Sequence, residues 1–485
     1  MTGQAAMAGG RGGARPGRPA PRRLEEWRGL TVLVVGLARS GVAAARLLAR
    51  HGAIVLGCDR KPRAELPGAD ELERLGAQLY LGSDDARPLA RAEALVVSPG
   101  VPASAAVVAE ADRLGLPSVS EVELAFQASR APWAAITGTN GKSTTTALLG
   151  ALLARAGRTA WVAGNIGNAL SEGVEEVPAD GVVVAEVSSF QLERTVTFRP
   201  RVGLLLNLTP DHLDRYAGVA EYAAAKARLF AYQEPADFAV LNADDPEVLR
   251  LAAGGRARAL TFSRRGPVPS GAYAEGGAVW WAWEGRAERI AGADEIRIPG
   301  PHNLENALAA VAACGALGAL ADVAGRRAVA AGLAEFPGLE HRLEPCGEVG
   351  GRRFYNDSKA TNVDSMRQAL LALPHPLTVI AGGRDKHGDF PGLAALADER
   401  IDHLVLIGEA AAVIARAWPR LPQERARDLD DAVRRAWRAT PPGGHVALSP
   451  GCASFDMFRD YEDRGRRFKA AVARLAEQLA RGEVA

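Results

Sequence analysis

Ala135-Ile136-Thr137-Gly138-Thr139-Asn140-Gly141-Lys142-Ser143-Thr144-Thr145 is the stretch that decides how this chain reads. The apolar run AAIT leads in as a strand, and ALLGALLARAG continues as a helix. A Gly-rich turn between strand and helix aims backbone N–H groups at an anion, and the helix dipole favours the negative charge. Lys142 adds a point charge, and the hydroxyl of Ser143 or Thr144 can hold Mg²⁺. Gly138, Thr139, Asn140, Gly141, Lys142, Ser143 and Thr144 are therefore expected to bind the phosphates of ATP. The spacing is short. Two residues separate Gly138 from Gly141, where the common phosphate loop has four, and Ile136 holds the place of its first glycine. That form points away from small GTPases.

Composition sets the frame around this loop. With 485 residues, 48% of them hydrophobic, the length allows about three domains. Lys and Arg number 58 against 57 Asp and Glu, so no overall basic field invites nucleic acid. No apolar run approaches the roughly 20 residues of a membrane helix, so no membrane insertion is expected. Cys58, Cys314, Cys346 and Cys452 are scattered, with no CxxC. This fits a reducing cytoplasm and offers neither disulfide nor zinc framework. Residues 1–26 carry Arg11, Arg15, Arg18, Arg22 and Arg23 among Gly, Pro and Ala, with no apolar signal segment, and read as a disordered basic tail.

Working outward, residues 27–129 open on a βαβ pattern. Thr31-Val-Leu-Val-Val-Gly36 reads as a buried strand, a helix follows, and Ala53-Ile-Val-Leu-Gly-Cys58 ends at Asp59. The turn Gly36–Gly41 lacks the middle glycine of GxGxxG, so as a dinucleotide fingerprint it is weak. Asp59 and Ser98 stand at strand ends, where open α/β sheets bind ligands. Residues 130–338 hold the phosphate loop and two further strands. Their ends deliver Glu186 and Ser188 from one, and Asn207 with Asp211 and His212 from the other. Lys226 lies on a helix, and Trp280, Trp281 and Trp283 read as packing. Residues 339–485 alternate strands and helices, with Asn356–Lys359, Gly382–Lys386 and Ser449-Pro450 at strand ends. The expected class is α/β in three domains: a Rossmann-like N-terminal domain, a central P-loop ATPase-like domain and a C-terminal Rossmann-like domain.

Taken singly, His212 reads as a structural histidine and Lys226 as a solvated helix residue. The joint pattern changes both. The strings AITGTNGKSTT, GNIGNAL, EVSSFQLE, NLTPDHLDRY, YAAAKARLF, PGPHNLENALAA, GLEHRLE, YNDSKATN, GGRDKHGDF and LSPGCASFDMF fall in order along the chain. The sequence thereby resembles the Mur ligase family of ATP-dependent amide-forming enzymes. SSFQLE, NDSKATN and SPGCASFDMF are similar to the member that adds D-glutamate to UDP-N-acetylmuramoyl-L-alanine.

The resemblance implies roles for matching residues. Lys142, Lys226, His212 and Lys359 are the implied catalytic set. Ser143, Glu186 and His212 are implied Mg²⁺ ligands, joined by Lys226 if CO₂ carbamylates it. Asn303 and Asn306 are implied adenine contacts, Asp357 a ribose contact and Arg342 a phosphate contact. Asp59, Ser98, Asn165 and Ser188 fall to the UDP-sugar. Thr361, Lys386, Ser454 and Tyr461, with Lys359, fall to the incoming amino acid, whose two carboxylates suit two lysines. ATP and Mg²⁺ are the implied cofactors, and a cytoplasmic monomer is the implied form. Arg39 in the first turn and Asp385 beside Lys386 depart from the family pattern. A sibling ligase or folate polyglutamate synthetase, a non-catalytic nucleotide binder and an NAD-dependent dehydrogenase are the competing readings. The last rests only on the first βαβ unit. With phosphate and amino-acid sites on different domains, closure of the domains is also expected.

Overall fold

The computed structural model describes residues 19–84, 86–212, 215–386 and 388–482. These residues divide into two compact units. One runs to Ala293 and takes in Asn306–Leu333; the other joins Asp294–Glu305 to the chain from Ala334 onward.

The first unit carries two sheets. The smaller comprises β1 (Thr31–Val35), β2 (Ile54–Asp59), β3 (Gln78–Leu81), β4 (Ala94–Val97) and β5 (Ser118–Ser120), in order β3-β2-β1-β4-β5. All its pairs are parallel. Its central strands β1 and β4 are apolar runs because helices cover both faces of such a sheet, whereas the edge strands β3 and β5 carry polar residues. The order turns at β1, between β2 and β4. That registers Val35 with both Cys58 and Val97 and sets Gly36, Asp59 and Ser98 along one edge. The basic tail expected over residues 1–26 falls largely on residues 1–18, which lie outside the described residues. Leu24 and Trp27, in the 3-10 turn Leu24–Trp27, are buried in the core beneath this sheet. Gln127 fastens that turn, accepting from Trp27 Nε1 at 2.8 Å and donating to the carbonyl of Pro21 at 2.9 Å.

The larger sheet comprises β6 (Trp133–Thr137), β7 (Ala160–Gly164), β8 (Val182–Glu186), β9 (Val202–Leu205), β10 (Phe238–Asn242), β11 (Arg258–Ser263), β12 (Gly271–Glu275), β13 (Ala278–Trp283) and β14 (Arg286–Gly292). Its order is β14-β13-β12-β11-β10-β9-β6-β8-β7. The strands from β6 to β12 pair in parallel, and β12, β13 and β14 pair antiparallel. Here the switch falls at β6, whose Ile136 pairs with Glu186 and whose Thr137 pairs with Leu205. The loop after β6 thus opens between the ends of β8 and β9, where a ligand crevice forms. The Trp residues pack as expected. Trp281 and Trp283 stack at 6.0 Å, and a Cβ on Gly315 would meet the Trp281 ring at 2.3 Å.

Glu123 welds the two sheets. It is fully buried on the helix Glu121–Ala128, and its Oε2 accepts from the backbone N–H groups of Val196, Thr197 and Phe198 at 2.9, 3.0 and 3.0 Å. Alanine there leaves those donors buried without an acceptor. Glu123→Ala is expected to cost about 3–5 kcal/mol of stability, read as a lower thermal midpoint, whereas Glu123→Gln retains an acceptor oxygen and loses less.

The second unit holds β15 (Glu344–Val349), β16 (Arg352–Asn356), β17 (Leu377–Gly382), β18 (His403–Ile407), β19 (Gln423–Arg425) and β20 (His445–Leu448), in order β15-β16-β20-β17-β18-β19. β15 is antiparallel to β16 and the remaining pairs are parallel. Apolar clusters fill both faces of the sheet. Register aligns Asn356 and Ile380 with Leu448, so Asp357 and Ser449 leave the sheet at one edge.

Candidate functional site

The phosphate loop is built as its spacing predicts. Gly141 caps the helix Lys142–Arg155 with φ +81°, a left-handed conformation that suits glycine. A Cβ there would also lie 2.3 Å from Asn306 Oδ1. Asn207, at the end of β9, shapes the loop. Its Oδ1 accepts from the N–H of Thr139 at 3.1 Å and of Asn140 at 2.8 Å. Asn306 Oδ1 accepts from Thr145 Oγ1 at 3.1 Å, which ties the helix Pro301–Ala316 to the loop's own helix. Ser143 and Thr144 are buried at the start of that helix.

Two lysines converge on this loop. Lys142 Nζ donates to the carbonyls of Gly138 at 2.9 Å and Thr139 at 2.8 Å. Lys226 Nζ donates to the same Gly138 carbonyl at 2.8 Å. Lys226 is 1% exposed and lies 4.5 Å from the centre of the Tyr222 ring. Burial, then the charge of Lys142, lowers its pKa well below 10.5. A buried amine beside a fixed cation is held toward its neutral, nucleophilic form. The expectation of a solvated helix residue, drawn from Lys226 alone, is thereby replaced by a buried one.

Glu186 ends β8 across from the loop. It is 2% exposed; its Oε1 accepts from Asn165 Nδ2 at 2.9 Å, and its Oε2 is buried with no hydrogen-bond partner. An orphaned carboxylate oxygen is what a hard cation satisfies, so the residues present fit Mg²⁺. His212 is half-exposed, with φ +54°, and its ring packs edge-on to Phe190 at 4.8 Å. Among the described residues, three candidate ligands of the His, Cys, Asp and Glu types gather instead at Glu340, His341 and Glu344 in the second unit. There Lys469 Nζ already bonds Glu340, and Glu344 at 2.8 Å, so a cation is in place.

At the edge of the smaller sheet, Asp59, Ser98 and Asn165 line one cavity of about 580 Å³, together with Arg39, Arg60 and Lys61. That volume suits a nucleotide-sized ligand. Asp59 also serves the fold. Its Oδ2 accepts from Leu37 N–H at 2.7 Å and its Oδ1 from Lys61 N–H at 2.9 Å. Ser98 Oγ donates to the Gly36 carbonyl at 2.7 Å. Ser188 does not line the cavity. It forms a capping box with Gln191, which does. Arg39, the departure in the first turn, is exposed at the cavity wall as the first residue of the helix Arg39–Arg50. Arg60, Lys61 and Gln191 are lining residues that sequence reasoning missed, although Arg60 and Lys61 directly follow Asp59 at the end of β2.

In the second unit, Asn303 Nδ2 donates to the Pro299 carbonyl at 2.7 Å. The charge of Arg342 acts on both His302 and Asp357. Burial lowers the His302 pKa to about 4, with Arg342 adding to the effect. Asp357 accepts from Ser449 Oγ at 2.8 Å and from Leu343 N–H at 3.3 Å, and burial raises its pKa to about 7. Asn303, Arg342 and Asp357 therefore share one neighbourhood. Lys359 Nζ lies 5.3 Å from the centre of the Tyr461 ring. Ser454 is buried, Thr361 half-buried and Lys386 exposed. Asp385 closes a turn, its Oδ1 accepting from Gly388 N–H at 2.9 Å. Arg464, which no local pattern marks, is fully buried. It donates to Ser358 O at 2.7 Å and Cys452 O at 3.1 Å, joining the segments that carry Lys359 and Ser454.

Comparison with known proteins adds an independent line. Three family descriptions match in order: the MurD-like N-terminal domain of Mur ligases over residues 30–120, the Mur ligase middle domain over 136–314, and the Mur ligase glutamate ligase domain over 341–452. The UDP-N-acetylmuramoylalanine–D-glutamate ligase of Pelotomaculum thermopropionicum is 44% identical over 456 residues, covering 93% of this chain and 99% of the relative. Its namesake from Anaeromyxobacter dehalogenans is 47% identical over 468 residues, covering 94% and 99%. Among solved structures, a pseudomurein peptide ligase type C from Methanothermus fervidus superposes with a TM-score of 0.59 at 18% identity, covering 92% of this chain and all of that one. A MurF ligase from Thermotoga maritima in complex with ADP gives 0.56 at 15%, covering 95% and 98%. Those two structures share the fold.

Proposed function

The chain belongs to the Mur ligase family, and we propose that it joins D-glutamate to UDP-N-acetylmuramoyl-L-alanine at the expense of ATP, a cytoplasmic step of peptidoglycan precursor synthesis. The observation that carries this reading is the pair of lysines on one carbonyl: Lys142 and Lys226 both bond Gly138 O, at 2.9 and 2.8 Å.

A carboxylate does not accept an amine directly, because oxide would have to leave. In the proposed reaction a carboxylate oxygen of UDP-N-acetylmuramoyl-L-alanine attacks the γ-phosphorus of ATP and ADP departs. The amine of D-glutamate then attacks the acyl carbon, loses a proton and expels phosphate. The chain's contribution is position and charge. Lys142 and the loop N–H groups receive the phosphates. Asn303 and Asn306 take the adenine, Asp357 the ribose and Arg342 the phosphates. The cavity at Asp59, Ser98 and Asn165 holds the UDP-sugar, with Ser188 acting beside it. Lys359, Thr361, Lys386, Ser454 and Tyr461 receive the amino acid.

Ser143, Glu186 and His212 would hold Mg²⁺, which when bound supplies charge neutralisation at the phosphates. Lys226, whose burial and neighbouring Lys142 favour the neutral amine, adds CO₂ at Nζ and releases a proton. The carbamate so formed is an anion able to join the Mg²⁺ ligands.

ADP release measured with UDP-N-acetylmuramoyl-L-alanine and a panel of amino acids tests the reading. Turnover is expected with D-glutamate. Turnover with L-glutamate and a folate, and none with D-glutamate, would overturn it. The cavity gives a further expectation. Arg39→Ala is predicted to raise KM for the UDP-sugar about tenfold, the loss of one charge-assisted contact, with kcat little changed.

A further inference from the structure

A second cationic cavity, of about 650 Å³, lies in the first unit at the opposite edge of the larger sheet from the phosphate loop. Its walls come from the segment before the Leu24–Trp27 turn, from the approach to β6, and from the loops that precede β9 and β10. Arg22, Arg23, Arg130, Arg199 and Arg201 line it against two acids, Glu25 and Asp237. Asp237 is occupied, bonding Arg199 Nε at 2.6 Å and pairing with Arg201 at 3.5 Å. Arg22, Arg23 and Arg130 make no ion pair with a described residue. All three side chains are exposed, and Gln127 fastens the backbone before Arg22 and Arg23, its Nε2 donating to the carbonyl of Pro21 at 2.9 Å. Trp133, 1% exposed, is a further wall of this cavity, and its indole Nε1 has no hydrogen-bond acceptor.

Arginines gathered at the walls of one cavity sum to a positive potential there, which raises the local concentration of anions. Guanidinium forks match the tetrahedral oxyanions of phosphate groups. The volume is that of a small-molecule site. We propose that this cavity binds a polyphosphate anion, either inorganic pyrophosphate or the phosphates of a nucleotide, separately from the phosphate loop.

The test is calorimetric titration of pyrophosphate into Lys142→Ala protein, in which binding at the phosphate loop is weakened. One site is expected to survive that substitution. Adding Arg23→Ala and Arg130→Ala should weaken it about tenfold or more. The same two substitutions in otherwise unaltered protein should leave ligase turnover unchanged, which also shows that the variant folds. Displacement of pyrophosphate by ADP in Lys142→Ala protein would identify a nucleotide as the ligand, and persistence of pyrophosphate would identify the inorganic anion; either supports the site. Loss of all binding in Lys142→Ala, or undiminished binding after the arginine substitutions, would overturn the proposal. Neither result bears on the ligase reading.

Discussion

Lys142→Ala is expected to lower turnover by about 10³-fold, with UDP-sugar binding unaltered. Charge on the transferring phosphoryl group is spread over its oxygens, and the chain answers it with fixed donors. Lys142 stands at the N-terminus of the helix Lys142–Arg155, already turned back over the loop carbonyls of Gly138 and Thr139. Removing one donor aimed at developing charge costs about 10²–10³ in kcat, and the upper end applies because the lost donor carries a full charge. Steady-state ADP release measures the effect. Equilibrium binding of the UDP-sugar, proposed to occupy the cavity at the edge of the smaller sheet, is the control. Lys142→Arg should not rescue, since a planar fork does not reproduce a point charge.

Lys226→Met should separate activity from stability. Turnover is predicted to fall by about 10²-fold or more, the scale for disturbing a metal's supporting groups. The fold should gain. Lys226 ordinarily titrates at 10.5, and burial with the charge of Lys142 puts its folded pKa well below that. Between those two values unfolding takes up a proton, so stability rises with pH across the window. The cost of the buried amine is therefore greatest below the folded pKa and vanishes above 10.5. Methionine removes that cost. Its thermal midpoint should exceed the parent's by more at about pH 6 than at about pH 9. A midpoint that drops at both pH values would show that the bond to Gly138 O outweighs the desolvation.

The phosphate loop was legible because its determinants are local: two glycines, a lysine and the hydroxyls that follow lie within a few residues of one strand. The central strands were legible in the same way, as apolar runs ending in polar residues, whereas strands such as β3 and β15 were not, because their polar and half-exposed residues make no apolar run. Lys226 was legible only through the combined strings, since nothing in Tyr222–Lys226 says that the helix buries its lysine. Glu123 and Arg464 were not legible. Their acceptors and donors lie far along the chain, and a buried charge has no sequence period. Asp59 was half-legible. Its place at the end of β2 marked a ligand edge, yet its two oxygens also hold the turn that shapes that edge. Asp385, whose role the sequence left open, closes a turn on Gly388 N–H. Arg39, equally open, stands exposed at the cavity wall.

Tracing oxygen-18 from the carboxylate of UDP-N-acetylmuramoyl-L-alanine tests the central claim most directly. If the chain activates that carboxylate as an acyl phosphate, each turnover with D-glutamate transfers one labelled oxygen to the released phosphate, read by mass spectrometry. Phosphate released without label, while ADP accumulates, would mean that water rather than the carboxylate receives the phosphoryl group, and would contradict the account.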